Sequence, residues 1–372
     1  MPLFFQKGQN LFLKDKGFEI HLIASDDIYL NQVKERDKLF TYPLNIERRP
    51  SIFKDIYSLL KIILLLRRIK PDIVHAGAPK SSFLGLLAAW LCRVKGRFFA
   101  CHGTIAGRHQ GLSRVFYRFI EKCAAFWAKR VWCVSPSLLE FMNSEGIVPK
   151  DKGFSIGQGS ANGFKREWLE EEDAEIPEAV KTLRKEKDNS YFPIILFIGR
   201  ICSDKGIEII TEAWVKLREL YPKLRFLIIG SHDLTNPVDN NVLNLLQNDD
   251  RVILSGYLSP GALGYCYETA DILVAPSLGC EGFLNVVGEA SLFSLPVIAS
   301  NVVGPRDAVV DGVTGTLVPP SDPKLLCDAI IKYLDNPELA KKHGQAGRER
   351  YENYFKPEII WETLYSEYSK LL

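Results

Sequence analysis

The chain is 372 residues long, 47% hydrophobic and 25% charged, with a formal net charge of +2. One hydrophobic core rarely supports that length, so two domains are expected, and the composition excludes a disordered or fibrous chain. The near-neutral total hides an asymmetry: residues 1–165 hold 26 Lys and Arg against 13 Asp and Glu, whereas residues 166–372 hold 21 against 32. A basic half implies an anionic partner for that half, be it a membrane surface, a nucleic acid or a phosphorylated ligand.

Short β-branched runs alternate with helical patterns, which predicts parallel sheets built from βαβ units. A helix containing Phe4–Leu13 opens the chain, and strands are expected near 18–24, 72–75, 97–101 and 130–134. Helices are expected near 52–70, 81–92, 112–128 and 136–145. The longest apolar run, Leu59–Leu66, is broken by Lys61 and ends at Arg67-Arg68, too short and too charged to span a bilayer. No signal-peptide pattern is visible and the eight cysteines show no close pairing, so a cytoplasmic protein with free buried thiols is expected.

Gly157-Gln-Gly-Ser-Ala-Asn-Gly163 has the composition of a hinge, and the charged stretch from Glu167 to Asn189 is expected to be irregular and exposed. Domains are therefore drawn at 1–165 and 166–356, with a separate helix at 357–372. In the second half, strands fall near 193–198, 224–229, 251–254, 272–275, 296–299 and 315–318. Helices near 206–220, 239–248, 259–268, 285–293, 323–334 and 337–352 alternate with them. The last helix has apolar spacing that needs something to pack against.

Open parallel sheets bind ligands beyond the carboxyl ends of their strands. One strand there runs into Gly199-Arg200, with Lys205-Gly206 opening the next helix. A planar fork and a point charge suit a diphosphate, although a surface Arg and Lys beside a helix start would look the same. Two βα units later, Glu281-Gly282-Phe283 precedes a helix that contains Glu289. Eight residues return the helical angle to within about 80° of its start, so both acids can look toward one crevice. The alternative is an N-terminal acid favoured by the helix dipole plus a solvated glutamate. It fits Glu289 less well, because Val286, Val287, Ala290 and Leu292 flank it and an acid there needs partners.

In the first half, His102 ends a strand, where it could bond a sugar hydroxyl, move a proton or simply be structural. Lys80 sits at a strand-to-helix junction, as part of an anion site or as a solvated residue beside a helix cap. There is no Asp-x-Asp and no His-x-x-x-His, so no metal site is expected. The segments Ile52–Lys70 and Arg114–Arg130 mix bases with aromatics, as helices at a membrane interface do and as basic-faced helices on a sheet also do.

Together these residues resemble a known family. Gly199-Arg200, Lys205-Gly206, Pro276-Ser277, Glu281-Gly282-Phe283, Glu289-Ala290, Gly304-Pro305 and Gly312-x-x-Gly315 are similar to the family 4 glycosyltransferases. His75 to Gly85, Val134-Ser-Pro-Ser137 and Gly159-Ser160 with Asn162-Gly163 resemble the bacterial branch that builds capsule and O-antigen glycans on undecaprenyl diphosphate. The resemblance implies an α/β GT-B fold, with two Rossmann-like parallel-sheet domains facing across a cleft and a C-terminal helix crossing back to the first.

It also implies a retaining, metal-independent transferase using a nucleotide sugar, with UDP the expected nucleotide. Arg200, Lys205, Glu281 and His102 would be catalytic, while Glu289, Gly199, Gly282, Phe283 and Lys80 would bind the donor. Partners would be the donor, a polyprenyl-diphosphate-linked acceptor and the anionic inner face of a bacterial plasma membrane, with no nucleic acid. Two departures are visible. The family opens with a strand and glycine turn ahead of the first helix, and that strand is absent from this sequence. Phe164-Lys165 follow Asn162-Gly163 where the family often has a hydrophobic residue and an Asp. A nucleotide-sugar 2-epimerase and an inactive nucleotide- or membrane-binding homologue share the same architecture.

Overall fold

The computed structural model describes residues 6–25, 28–47, 51–170, 174–234 and 236–372. The chain divides into two compact units: Met1–Gly163 together with Pro357–Leu372, and Phe164–Lys356. Strands are named in chain order as β1 (His21–Ala24), β2 (Phe40–Pro43), β3 (Ile73–Gly77), β4 (Gly96–Cys101), β5 (Arg130–Cys133) and β6 (Gly153–Phe154) in the first unit. The second holds β7 (Ile194–Ile198), β8 (Arg225–Ile229), β9 (Val252–Gly256), β10 (Ile272–Ala275), β11 (Val297–Ser300) and β12 (Gly315–Val318).

In the second unit, all six strands are parallel in the order β12-β11-β10-β7-β8-β9. Runs such as Ile-Ile-Leu-Phe-Ile are apolar at every position because both faces of a parallel sheet are covered. Alternate residues feed two cores. Leu196, Leu227, Leu273 and Val297 meet Ala262, Val287 and Ala290 on one face, while Phe197, Phe226, Val274 and Ile298 meet Ile210, Trp214 and Ile330 on the other. The direction of strand addition reverses between β7 and β10, a topological switch point.

Two expectations fail here. The charged stretch before β7 is not irregular: Glu178–Asn189 is a helix whose Val180 and Leu183 are buried. Three residues apart, these two side chains share one face, and the Lys187 ammonium bonds Asp271 at 2.8 Å. The units divide after Gly163 rather than 165, because Phe164 packs on Tyr351 and its N–H donates to the Phe355 carbonyl at 2.9 Å. Residues 171–173 of the acidic run lie outside the described residues.

In the first unit, β3-β4-β5-β6 form one parallel sheet and β1-β2 another. The sequence pattern gave no sign of β2, β6 or the helix Ile28–Asp37. Of the opening helix, Gln9–Asp15 is described, whereas Phe4 and Phe5 lie outside the described residues. Within the glycine-rich segment, Ser160 and Asn162 are buried. Asn162 Oδ1 accepts from Trp361 Nε1 at 2.7 Å, and its amide donates to the Lys7 carbonyl at 3.0 Å.

Trp361 belongs to the helix Pro357–Ser369, which packs in this unit. Trp361 lies 5.6 Å from the Phe12 ring, and Glu367 accepts from Arg130 at 2.7 Å. Trp361→Ala is expected to destabilise this unit by about 3–5 kcal/mol, the usual cost of emptying an indole-sized site. An earlier unfolding transition in urea checks it.

The helix Pro79–Leu91 packs between Ile52–Ile69 and Gly111–Trp127. The first of these flanking helices buries Ser58, Ile62 and Leu66, and the last buries Glu121, Ala124 and Ala125. Each also carries a second apolar stripe on its outer side. Phe53, Tyr57, Leu60 and Leu64 are exposed on one, and Leu112, Phe116, Phe119 and Phe126 on the other, with Phe53 88% and Leu112 89% exposed. Spacings of three, four and seven keep each stripe on one face.

Candidate active site

The residues singled out in the second unit gather at the switch point. Gly199 closes β7 and bonds the Ile229 carbonyl at 2.9 Å; Arg200 follows it. A short 3₁₀ turn, Ser203–Lys205, then leads through Gly206 into the helix Ile207–Leu220. Gly206 has φ +72°, and any Cβ there would overlap the carbonyl oxygen of Pro276, so a glycine is required where the loops after β7 and β10 meet. The Leu278 N–H donates to the Asp204 carbonyl at 2.9 Å, tying the same two loops together.

That contact places Lys205 against Glu281. The ammonium bonds Glu281 Oε1 at 2.6 Å, and Glu281 is only 7% exposed. Arg200 bonds Asp233 and has Asp204 at 4.0 Å. Two cations thus stand at the carboxyl edge of β7, each held by a carboxylate, where a preorganised positive field serves an anion. The Glu281 N–H donates to the Val303 carbonyl at 3.0 Å, which anchors its loop to the turn after β11. Gly282 is buried. The Phe283 ring packs 5.6 Å from Phe355, so this residue could serve a ligand through its N–H rather than its ring.

Glu289 has a partner that the sequence did not reveal. The Tyr267 hydroxyl donates to its Oε2 at 2.7 Å, fixing the carboxylate from the helix Pro260–Thr269. Burial raises the Glu289 pKa, and the tyrosine bond opposes that rise. The two glutamates therefore have different partners, Lys205 for one and Tyr267 for the other.

In the first unit, His102 follows β4. Its ring lies 6.1 Å from Trp132 and against Gly77, where a Cβ would stand 3.1 Å from His102 Cδ2. His75 on β3 bonds the Tyr368 hydroxyl. Desolvation, and then neighbouring His102, lowers the His75 pKa to about 3; His102, which keeps an exposed edge, is lowered in the same direction by desolvation. The direction at both positions favours the neutral imidazole, which can donate or accept a hydrogen bond according to its tautomer. Lys80 pairs with Asp55 at 2.6 Å across to the helix Ile52–Ile69, so its charge is engaged within the unit.

A parallel sheet with paired cations and carboxylates at its switch point has the make-up of an α/β ligand site, and those groups suit an anionic, polyhydroxylated molecule. Residues 180–350 match the family model described as "Glycosyl transferases group 1", and residues 12–156 match "Glycosyltransferase Family 4". The capsular polysaccharide biosynthesis glycosyltransferase CapM of Staphylococcus aureus is 31% identical over 367 residues, 98% of this chain and 93% of the relative. The UDP-Gal:alpha-D-GlcNAc-diphosphoundecaprenol alpha-1,3-galactosyltransferase of Escherichia coli is 26% identical over 88% of this chain and 83% of its own length. Among solved structures, Alr3699/HepE of Anabaena in complex with UDP and glucose superposes with a TM-score of 0.80, at 17% identity. The match covers 100% of this chain and 97% of the other. The chain belongs to the family 4 (group 1) glycosyltransferases and has their GT-B fold of two Rossmann-like domains.

Proposed function

We propose that this glycosyltransferase moves a hexose or N-acetylhexosamine, with retention, from a UDP-sugar to an undecaprenyl-diphosphate-linked saccharide in capsule, O-antigen or related glycan synthesis. The supporting observation is the meeting of Arg200, Lys205 and Glu281 at the switch point between β7 and β10. The names of the capsule and galactosyltransferase relatives point the same way.

In this reading, Arg200 and Lys205 neutralise the departing diphosphate without a metal ion. Glu281 and the N–H groups of Gly282 and Phe283 face the donor sugar. Glu289, oriented by Tyr267, accepts from the ribose hydroxyls. His102, neutral, bonds a hydroxyl of the donor sugar. Gly199 lets the backbone approach the diphosphate, and Lys80 would serve the donor only by exchanging Asp55 for a phosphate.

The acceptor class supports a membrane-surface reading of the two outer stripes. No helix among the described residues is long and apolar enough to cross a bilayer. The exposed aromatics instead suit insertion at the headgroup level, with Lys61, Arg67, Arg68, Lys122 and Lys129 exposed around them for anionic lipid.

The test offers UDP-glucose, UDP-galactose and their N-acetyl counterparts to the purified protein with undecaprenyl-diphosphate N-acetylglucosamine in vesicles. One donor should give a product longer by one sugar, with UDP released, an α-linkage by NMR and undiminished turnover in EDTA. Conversion of a nucleotide sugar without acceptor, or UDP binding with no turnover of any pair, would refute the reading.

A further inference from the structure

Glu121 is the single acid between Asp72 and Glu140. It sits on the basic, aromatic helix Gly111–Trp127, yet it is only 4% exposed. A carboxylate in such a place needs several donors, because burial without hydrogen bonds costs too much. It has them, and all come from one segment. Oε2 accepts from Thr104 Oγ1 at 2.8 Å, and Oε1 accepts from the N–H groups of Ile105 at 2.7 Å and Ala106 at 3.5 Å. Thr104 Oγ1 accepts in turn from the Gly107 N–H at 3.2 Å. The segment so gripped begins at Thr104, one residue beyond Gly103 and two from His102.

We propose that Glu121 is a positioning residue: by holding residues 104–106 it fixes where the His102 imidazole stands at the end of β4. The same bonds tie that loop to the inner side of a helix whose outer side carries Leu112, Phe116 and Phe119, so seating that helix on lipid and placing His102 become one event. The inference rests on the role given to His102 above.

The carboxylate is required by its acceptor count. It has acceptor lone pairs for all three donors, whereas a glutamine puts an NH₂ where one oxygen was, facing either the Thr104 hydroxyl or the backbone N–H pair. Nothing in the second unit changes, so UDP affinity should be spared and turnover should not.

The experiment is a double-mutant cycle in the full chain, with the donors and acceptor named above. Glu121→Gln should lower kcat by about 10²-fold, as a small misplacement of a working group does, with UDP affinity unchanged. In a His102→Ala background the same change should cause no further loss. Thr104→Val, which removes one bond and keeps the backbone pair, should give a smaller loss with the same non-additivity, and it serves if Glu121→Gln fails to fold.

If His102→Ala alone leaves transfer unchanged, the role of His102 is wrong and this inference falls with it. If His102→Ala is damaging but the Glu121→Gln loss is additive, or if Glu121→Gln turns over like the parent, only the positioning role is overturned.

Discussion

Replacing Lys205 with alanine is expected to lower kcat for sugar transfer by about 10²–10³-fold, the usual cost of deleting one preorganised donor to a charge that develops in the transition state. In the proposed reaction negative charge builds on the diphosphate as the glycosidic bond breaks, and Lys205 and Arg200 are cations that stand at the edge of β7. Arg200 is the more exposed of the two and is bonded to Asp233, so Lys205 is the better insulated from water and its loss the costlier. Lys205→Ala also removes the 2.6 Å partner of a nearly buried Glu281, so a stability loss must be separated from the catalytic one. The double variant Lys205→Ala/Glu281→Gln does this. It should recover melting temperature relative to Lys205→Ala, because no carboxylate is left without its cation, but should not recover kcat. Turnover by Lys205→Ala within a few-fold of the parent would remove these residues from the leaving-group role.

The sequence made the second unit legible almost strand by strand, because a sheet covered on both faces writes itself as unbroken apolar runs such as Ile194–Ile198. The site was legible in part for the same reason. Strand ends are easy to place, so the sequence alone sets Arg200, Lys205 and Glu281 at one edge. Pairings that depend on tertiary approach could not be read. Nothing in the chain announces that Tyr267 reaches Glu289, or that Asp233 reaches Arg200 across 33 residues.

The misses elsewhere have different causes. Glu178–Asn189 hides its helix because Val180 and Leu183 are its only large apolar residues, and two of them make a weak period. β6 is two residues long and carries no pattern at all. Glu121 did leave a signal, a lone acid in a basic segment, but a charge on an amphipathic helix ordinarily means a solvated face. Its burial became visible only once the loop after β4 folded back over it.

Changing Phe53, Leu60, Phe116 and Phe119 together to serine is expected to weaken binding to phosphatidylglycerol-containing vesicles severely while leaving the melting temperature unchanged. All four are at least half exposed in this structure, so their removal takes nothing from the core. Full removal of such a side chain from water stabilises by about 1.5–3 kcal/mol. Even shallow insertion of four gives several kcal/mol, and about 1.4 kcal/mol is tenfold in affinity. The combined loss should therefore exceed about 10³-fold. The charges make a separate contribution of about 1 kcal/mol for each base near an anionic surface. Binding by the parent should accordingly weaken in high salt and on neutral lipid, whereas the residual binding of the serine variant should vanish in salt altogether. Unaltered vesicle binding by the serine variant, or a parent dimer that the four changes dissociate, would show that these faces meet protein rather than membrane.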